Sequence, residues 1–171
     1  MTDQPGITKA ELLEGLRATE VELLEKLRGL PADALEAGCY ENGWNGRQVL
    51  AHITAIEWTY PKLVDLARNG PPEKKPDEPA HKAARGGIND YNDRSIERYS
   101  GATVAELLET FKVNRETTIA TVEETNDDLL AAEVKSAGGI RGPLATVLNF
   151  VAVMHVRGHV NDIVAAASAK A

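Results

Sequence analysis

The chain has 171 residues, 43% of them apolar, and a formal net charge of −7. That length supports one domain with a sizeable core, expected over residues 1–171, and the acidic balance argues against nucleic acid or an anionic membrane as partner, since both select a basic face. The start MTDQPGITKAELLEGL lacks a secretory apolar run, the longest apolar stretch is broken by Asn149, His155, Arg157 and His159, and the lone Cys39 allows no internal disulfide, so a cytoplasmic protein without a membrane span is expected.

In chain order, Thr8 and Glu11 form a Thr-x-x-Glu capping box ahead of Leu12, Leu13, Leu16, Leu23, Leu24 and Leu27 at helical spacing. The pattern predicts a first helix from about Lys9 to Arg28. Leu30-Pro31 ends it, and the stretch through Gly38, Cys39, Tyr40, Asn42 and Gly43 reads as loop. Asn45 caps a second helix, with Gln48 at the matching third position. Val49, Leu50, Ile53, Ile56, Leu63 and Val64 carry its apolar face to about Asn69, and Pro61 kinks it or ends it at Tyr60. Four prolines and mixed charges over 70–87 predict a long surface crossover containing His81. A short helix over 88–99 follows. A second capping box, Thr103 with Glu106, opens a helix through Leu107, Leu108, Phe111, Arg115, Ile119 and Val122. A possible short strand at Glu133–Lys135 and a loop through Gly138, Gly139 and Gly142 lead to Pro143, placed as the first residue of a last helix that runs over 144–164. Four principal helices with a long crossover between the second and third predict an all-α four-helix bundle, a fold that builds sites from inward side chains of facing helices.

His155 and His159 stand four residues apart in the last helix, so their imidazoles lie about 40° apart around the axis and roughly 6 Å along it. Val151 and Leu148 behind them and Asp162 ahead share that stripe. Leu144, Val147, Phe150, Val153, Met154, Val156, Val160 and Ile163 cover the other directions, as in a helix packed centrally among others. His52 shares a face of the second helix with Gln48, Val49, Ile56 and Leu63, and so also points to the core. Imidazole ligates zinc, nickel, copper or iron, and three protein ligands leave positions open for water and substrate. The plainer alternative is a core in which each histidine is hydrogen bonded. Against it, three buried imidazoles without partners would cost on the order of a few kcal/mol each, and the last helix offers few polar neighbours.

Around this set, Asp162 and Gln48 are candidates to orient an imidazole by accepting its second N–H; their ordinary roles are a solvated helix-end carboxylate and the partner of the Asn45 cap. Arg157 and Arg141 suit a substrate carboxylate or plain surface exposure. Tyr91 and Asn92 fall on the surface or at a pocket mouth. Cys39 has nothing basic close in sequence to depress its pKa. Trp44 and Trp58 belong to the core or an interface. Gly158 costs about 1 kcal/mol relative to Ala inside a helix, which a close helix approach would explain.

Trp44, Arg47, Gln48, Val49, Leu50 and His52 in GWNGRQVLAHITAIEW resemble the W-x-x-x-x-[VL]-L-x-H-[IL] signature of the DinB-like superfamily. The H-x-x-x-H of VMHVRGHVNDI resembles its second half, and ELLETFKVNRETTI is similar to its third helix. That superfamily includes thiol-dependent S-transferases and the mycothiol-dependent maleylpyruvate isomerases. The resemblance implies an antiparallel four-helix bundle, often a homodimer, holding one divalent metal, zinc or nickel, through His52, His155 and His159. The isomerases carry an additional C-terminal domain with no counterpart before Ala171, which favours a stand-alone DinB-like protein over the isomerase reaction. The implied activity is a metal-dependent transfer of a low-molecular-weight thiol to an electrophilic small molecule, the metal lowering the thiol pKa. A hydrolase in which the metal activates water, and a non-catalytic bundle that sequesters a small molecule, are the competing readings.

Overall fold

A computed structural model of the chain describes residues 6–31, 33–36, 40, 43–71 and 87–169. Its helices are α1 (Lys9–Arg28), α2 (Gly46–Glu57), α3 (Tyr60–Asn69), α4 (Gly87–Arg98), α5 (Val104–Glu124), the single turn α6 (Asp127–Leu130), α7 (Leu144–Leu148) and α8 (His155–Ser168). α7 and α8 are joined without a break by a π-helical turn, Asn149–Met154. The bundle is all-α in its core: α1 packs on α5 and α8, and α2 packs on α5 and α8, so the four close into a ring with α4 laid against α2. Among the described residues no helix is long and apolar enough to cross a membrane.

Local chemistry sets the ends as expected. Thr8 and Glu11 bond reciprocally at the start of α1, Asn45 and Gln48 do so for α2, and Thr103 and Glu106 for α5; each box satisfies amide donors that a helix leaves orphaned. The predicted break at Tyr60 is present. α2 ends at Glu57, and Pro61 sits in the first turn of α3, where its missing N–H costs no helical bond. The expected crossover, with His81, falls largely at 72–86, and it lies outside the described residues, as does Cys39.

Three expectations are corrected between α5 and α8. Asn126 caps the extra turn α6, through an acceptor to the Leu129 N–H. The strand at Glu133–Lys135 (β1) has a partner, Arg141–Pro143 (β2), paired antiparallel with Val134 opposite Gly142; Gly139, at φ +87°, supplies the left-handed residue of the connecting turn. Pro143 therefore ends a strand and precedes α7 rather than being its first residue. The last helix is not a uniform α-helix covered on most sides: Phe150 is 45% and Met154 55% exposed. An i→i+5 turn inserts one residue into the helical count and rotates the helix beyond it by about 100°, so the stripe counted back from His155 through Val151 and Leu148 does not continue across it.

Two apolar clusters fill the bundle. One, toward the start of α2, gathers Leu23, Leu27, Leu50, Ile53, Leu107, Phe111, Val156 and Val160 among others. The second holds Leu12, Leu16, Tyr60, Val64, Val122, Leu144, Leu148 and Val153. Between them along α2 and α5 stand Glu57 and Arg115, both fully buried. Close approach of α1 to the π turn occurs at Gly15, where an added Cβ would lie 3.2 Å from both Val153 methyls. At Gly158 the same atom would meet nothing within 4 Å, so the predicted close approach there is absent and the residue faces open space.

Candidate metal centre

His52 is buried in α2 at 6% exposure, and His155 and His159, both half-buried, come from successive turns of α8. One ring nitrogen of each lies within 4.8 Å of the other two; among the described residues this is the one such group of three ligating side chains. The Nε2 atoms of His155 and His159 are 2.9 Å apart, and the His52 ring meets both edge-on, with centroids 5.7 and 5.3 Å away. Two nitrogens each about 2.1 Å from one ion stand ~3.0 Å apart at a right angle and ~3.4 Å apart at a tetrahedral angle, so the α8 pair has chelating spacing. His52 Nδ1 is enclosed and has no hydrogen-bond partner among the described residues.

Burial pushes the His52 pKa down to about 3, and the neighbouring His159 and His155 act in the same direction. His159 is lowered to about 4, first by burial and then by His155, against an opposing pull from Asp162. His155 is lowered by burial, against a backbone hydrogen bond to Val151. All three rings are neutral near pH 7, and neutral imidazole is the ligating form.

The supports differ from those the sequence suggested. Gln48 is committed to its cap, its Oε1 accepting the Asn45 N–H at 2.8 Å. Asp162 is exposed and acts on His159 through its charge. The backbone of Val151 supports His155 instead, and that has no signature in side-chain spacing. Trp44 is half-buried, its ring tilted over His52 at 5.2 Å. Trp58 is 38% exposed with the Lys62 ammonium 3.3 Å from its ring centroid. Arg157 grips Glu22 of α1 through two bonds of 3.0 and 3.1 Å. Arg141 is exposed in β2, and from Leu144 to His155 alone the helix runs about 17 Å, so it lies away from the histidines. Tyr91 is half-buried; Asn92 is too, and its Oδ1 is enclosed rather than on the surface.

The residues that sequence reasoning passed over are Glu57 and Arg115. Arg115 donates from Nε to Glu57 at 2.6 Å and from a terminal nitrogen at 2.9 Å, and it also reaches the Leu16 carbonyl at 3.1 Å and the Ala152 carbonyl at 2.7 Å. Burial pushes the Glu57 carboxyl up, and Arg115 pulls the other way. A signal for the pair existed: Glu57 continues the stripe of Leu50 and Ile53, and Arg115 that of Leu108 and Phe111, so opposite charges sit on two apolar faces.

Beside Trp44, a cavity of about 250 Å³ between α2 and α4 is lined by Arg47, Gln48, Asp93 and Glu97. A larger depression of about 730 Å³ lies elsewhere, between Ile7, Leu13, Leu130 and Thr146, and none of the three histidines lines it.

Residues 16–163 match the family model of the mycothiol maleylpyruvate isomerase N-terminal domain. The chain belongs to that family. The DinB-like resemblance read from Trp44, His52 and the H-x-x-x-H motif is thereby borne out. No curated protein matches the chain. Two crystal structures of the mycothiol-dependent maleylpyruvate isomerase, one of them of its H52A mutant, superpose with a TM-score of 0.70 at 18% identity, covering 92% of this chain and 61% of theirs. An uncharacterized protein from Clostridium difficile 630 superposes with a TM-score of 0.69 at 14% identity, over 91% of this chain and 93% of that one. At these identities the likeness establishes the fold, and this family member spans about three fifths of the isomerase's length.

Proposed function

We propose that this member of the isomerase N-terminal domain family holds one divalent metal ion, zinc or nickel, through His52, His155 and His159 and joins a low-molecular-weight thiol to an electrophilic small molecule. One observation carries the reading: one ring nitrogen of each of His52, His155 and His159 lies within 4.8 Å of the other two, and among the described residues the enclosed His52 Nδ1 has no hydrogen-bond partner. A bundle whose histidines served only packing would have satisfied that atom, because an enclosed polar group without a partner costs about 1–3 kcal/mol. The donor set fits the metal: three neutral nitrogens suit zinc or nickel and leave coordination positions open. When bound, the cation supplies a Lewis acid that favours the nucleophilic conjugate base of a thiol near neutral pH.

The chain's own residues do the rest. Trp44 covers His52 on one side and keeps water from it, and the α8 pair, half-buried, is the side from which a small molecule arrives. The cavity beyond Trp44 offers Arg47, Asp93 and Glu97 to the polar groups of a hydroxyl- or amide-bearing thiol. Mycothiol, for which the family is named, is the first thiol to try. A homodimer is part of the reading, checked by sedimentation of the protein at working concentration.

The test is elemental analysis of protein purified without chelator, followed by zinc and nickel titration of wild type and of His52→Ala, His155→Ala and His159→Ala. One ion per chain is expected, with binding lost in each variant. A stability gain of about 2.7 kcal/mol is expected when free metal is a hundredfold above its dissociation constant. Protein that takes up no metal overturns the reading. With metal bound, mass spectrometry of mycothiol and an activated electrophile should show an adduct; turnover without thiol would indicate the hydrolase instead, and ligand protection that survives metal removal would indicate sequestration.

A further inference from the structure

We propose that Tyr60 is a positioning residue for His155: its hydroxyl occupies a carbonyl released by the π turn and so holds that turn in the register that aims His155 and His159 at His52. The proposal rests on the three histidines acting as one site. In a regular helix the N–H of His155 would go to the carbonyl of Val151. Here it goes one residue further back, to Phe150, and the Val151 carbonyl loses its helical partner. Tyr60, 5% exposed, donates to that oxygen at 2.8 Å. The backbone of the same residue also acts on the His155 ring, opposing the fall of its pKa on burial, and a carbonyl oxygen has two lone pairs for two donors. With Nε2 turned to His159, we place the His155 proton on Nδ1, toward this carbonyl, so that Nε2 presents a lone pair to the site.

The next carbonyl, Ala152, takes Arg115, and Val153 is pressed against Gly15. Donors from α3 and α5 and a close contact from α1 therefore clamp three consecutive residues of the turn. Without the clamp, the backbone can recover its ordinary bond by letting His155 N–H reclaim Val151. That change removes the inserted residue and swings His155 and His159 by about 100° around the axis, away from His52. The rival account is that Tyr60 is a core phenol whose hydroxyl found a convenient acceptor and that the turn stands without it.

Tyr60→Phe keeps the ring and deletes the donor. In metal-free protein, imidazole ¹⁵N shifts should show wild-type His155 as one tautomer protonated at Nδ1, and the variant as an average of two. Amide exchange at 153–156 should quicken, and zinc affinity should fall ~10–100-fold, the range seen when an outer support of a ligand is removed. Val64→Ala is the control, since it loosens α3 one turn further on without touching the carbonyl and should leave the His155 ring signature as in wild type. Unchanged ring shifts in Tyr60→Phe overturn the proposal, as does an equal change in Val64→Ala. A wild-type His155 protonated at Nε2 overturns it without any variant, which decides the case even where Tyr60→Phe does not fold. Should wild type bind no metal, the functional reading falls, while the ring and exchange readouts still decide the role of Tyr60.

Discussion

The Glu57–Arg115 pair and the His52–His155–His159 cluster are both polar groups enclosed by the same bundle, and they end differently. The Arg115 fork spends its bonds on protein: two to Glu57, one to Leu16 and one to Ala152. The histidine cluster does not close, because His52 Nδ1 finds no partner among the described residues and the two α8 rings turn Nε2 toward each other. A buried charge pair with its hydrogen bonds filled is a structural solution, costly to assemble and costlier to break. An open cluster of neutral nitrogens is suited to a ligand.

The largest effect that tests this contrast is at the closed layer. Arg115→Met strands the Glu57 carboxylate and should cost about 3–5 kcal/mol by urea denaturation; adding Glu57→Met should recover most of it. A loss under about 1 kcal/mol in the single variant would mean the layer is not closed. Next comes the pH dependence of the metal-free protein. The histidines have folded pKa values below the unfolded value of about 6.5, so as pH falls the unfolded state takes up protons first. Their contribution is complete above about 6.5 and declines through the window down to about 3 for His52 and about 4 for His159. The sum is on the order of a few kcal/mol, and the difference between wild type and His52→Phe in thermal melts across that window isolates the His52 share. A melting temperature that does not fall more steeply in wild type would contradict it. The smallest effect is at the mid-helix glycines. Gly158→Ala, in open space, should stabilise by up to about 1 kcal/mol, whereas Gly15→Ala must displace Val153 and should lose that gain; equal melting shifts would show that the two positions are equivalent.

Much of this was readable in the residues. Thr8–Glu11, Asn45–Gln48 and Thr103–Glu106 announce helix starts because a cap is a contact within four residues. Pro61 announces a break because its ring clash is local. His155 and His159 announce a shared face because one turn of helix lies between them, and the motif around Trp44 and His52 pointed to the superfamily. What was misread sits where distant segments meet. Exposure of Phe150 and Met154 follows from which faces α1 and α2 happen to cover. β2 is the exception, a local strand that returns alongside β1 after the turn at Gly139.

Sequence by itself therefore determined the all-α class, the starts of α1, α2 and α5, and the shared face of His155 and His159, since each depends on periodicity or on neighbours a turn away; His52 joins that pair only through the packing of α2 on α8. Tertiary structure alone decided the π turn, the carbonyl it frees and the donors that fill it. Whether Val151 bonds to its own helix or to Tyr60 is a competition between a local hydrogen bond and partners 91 residues distant, and only packing can say which wins.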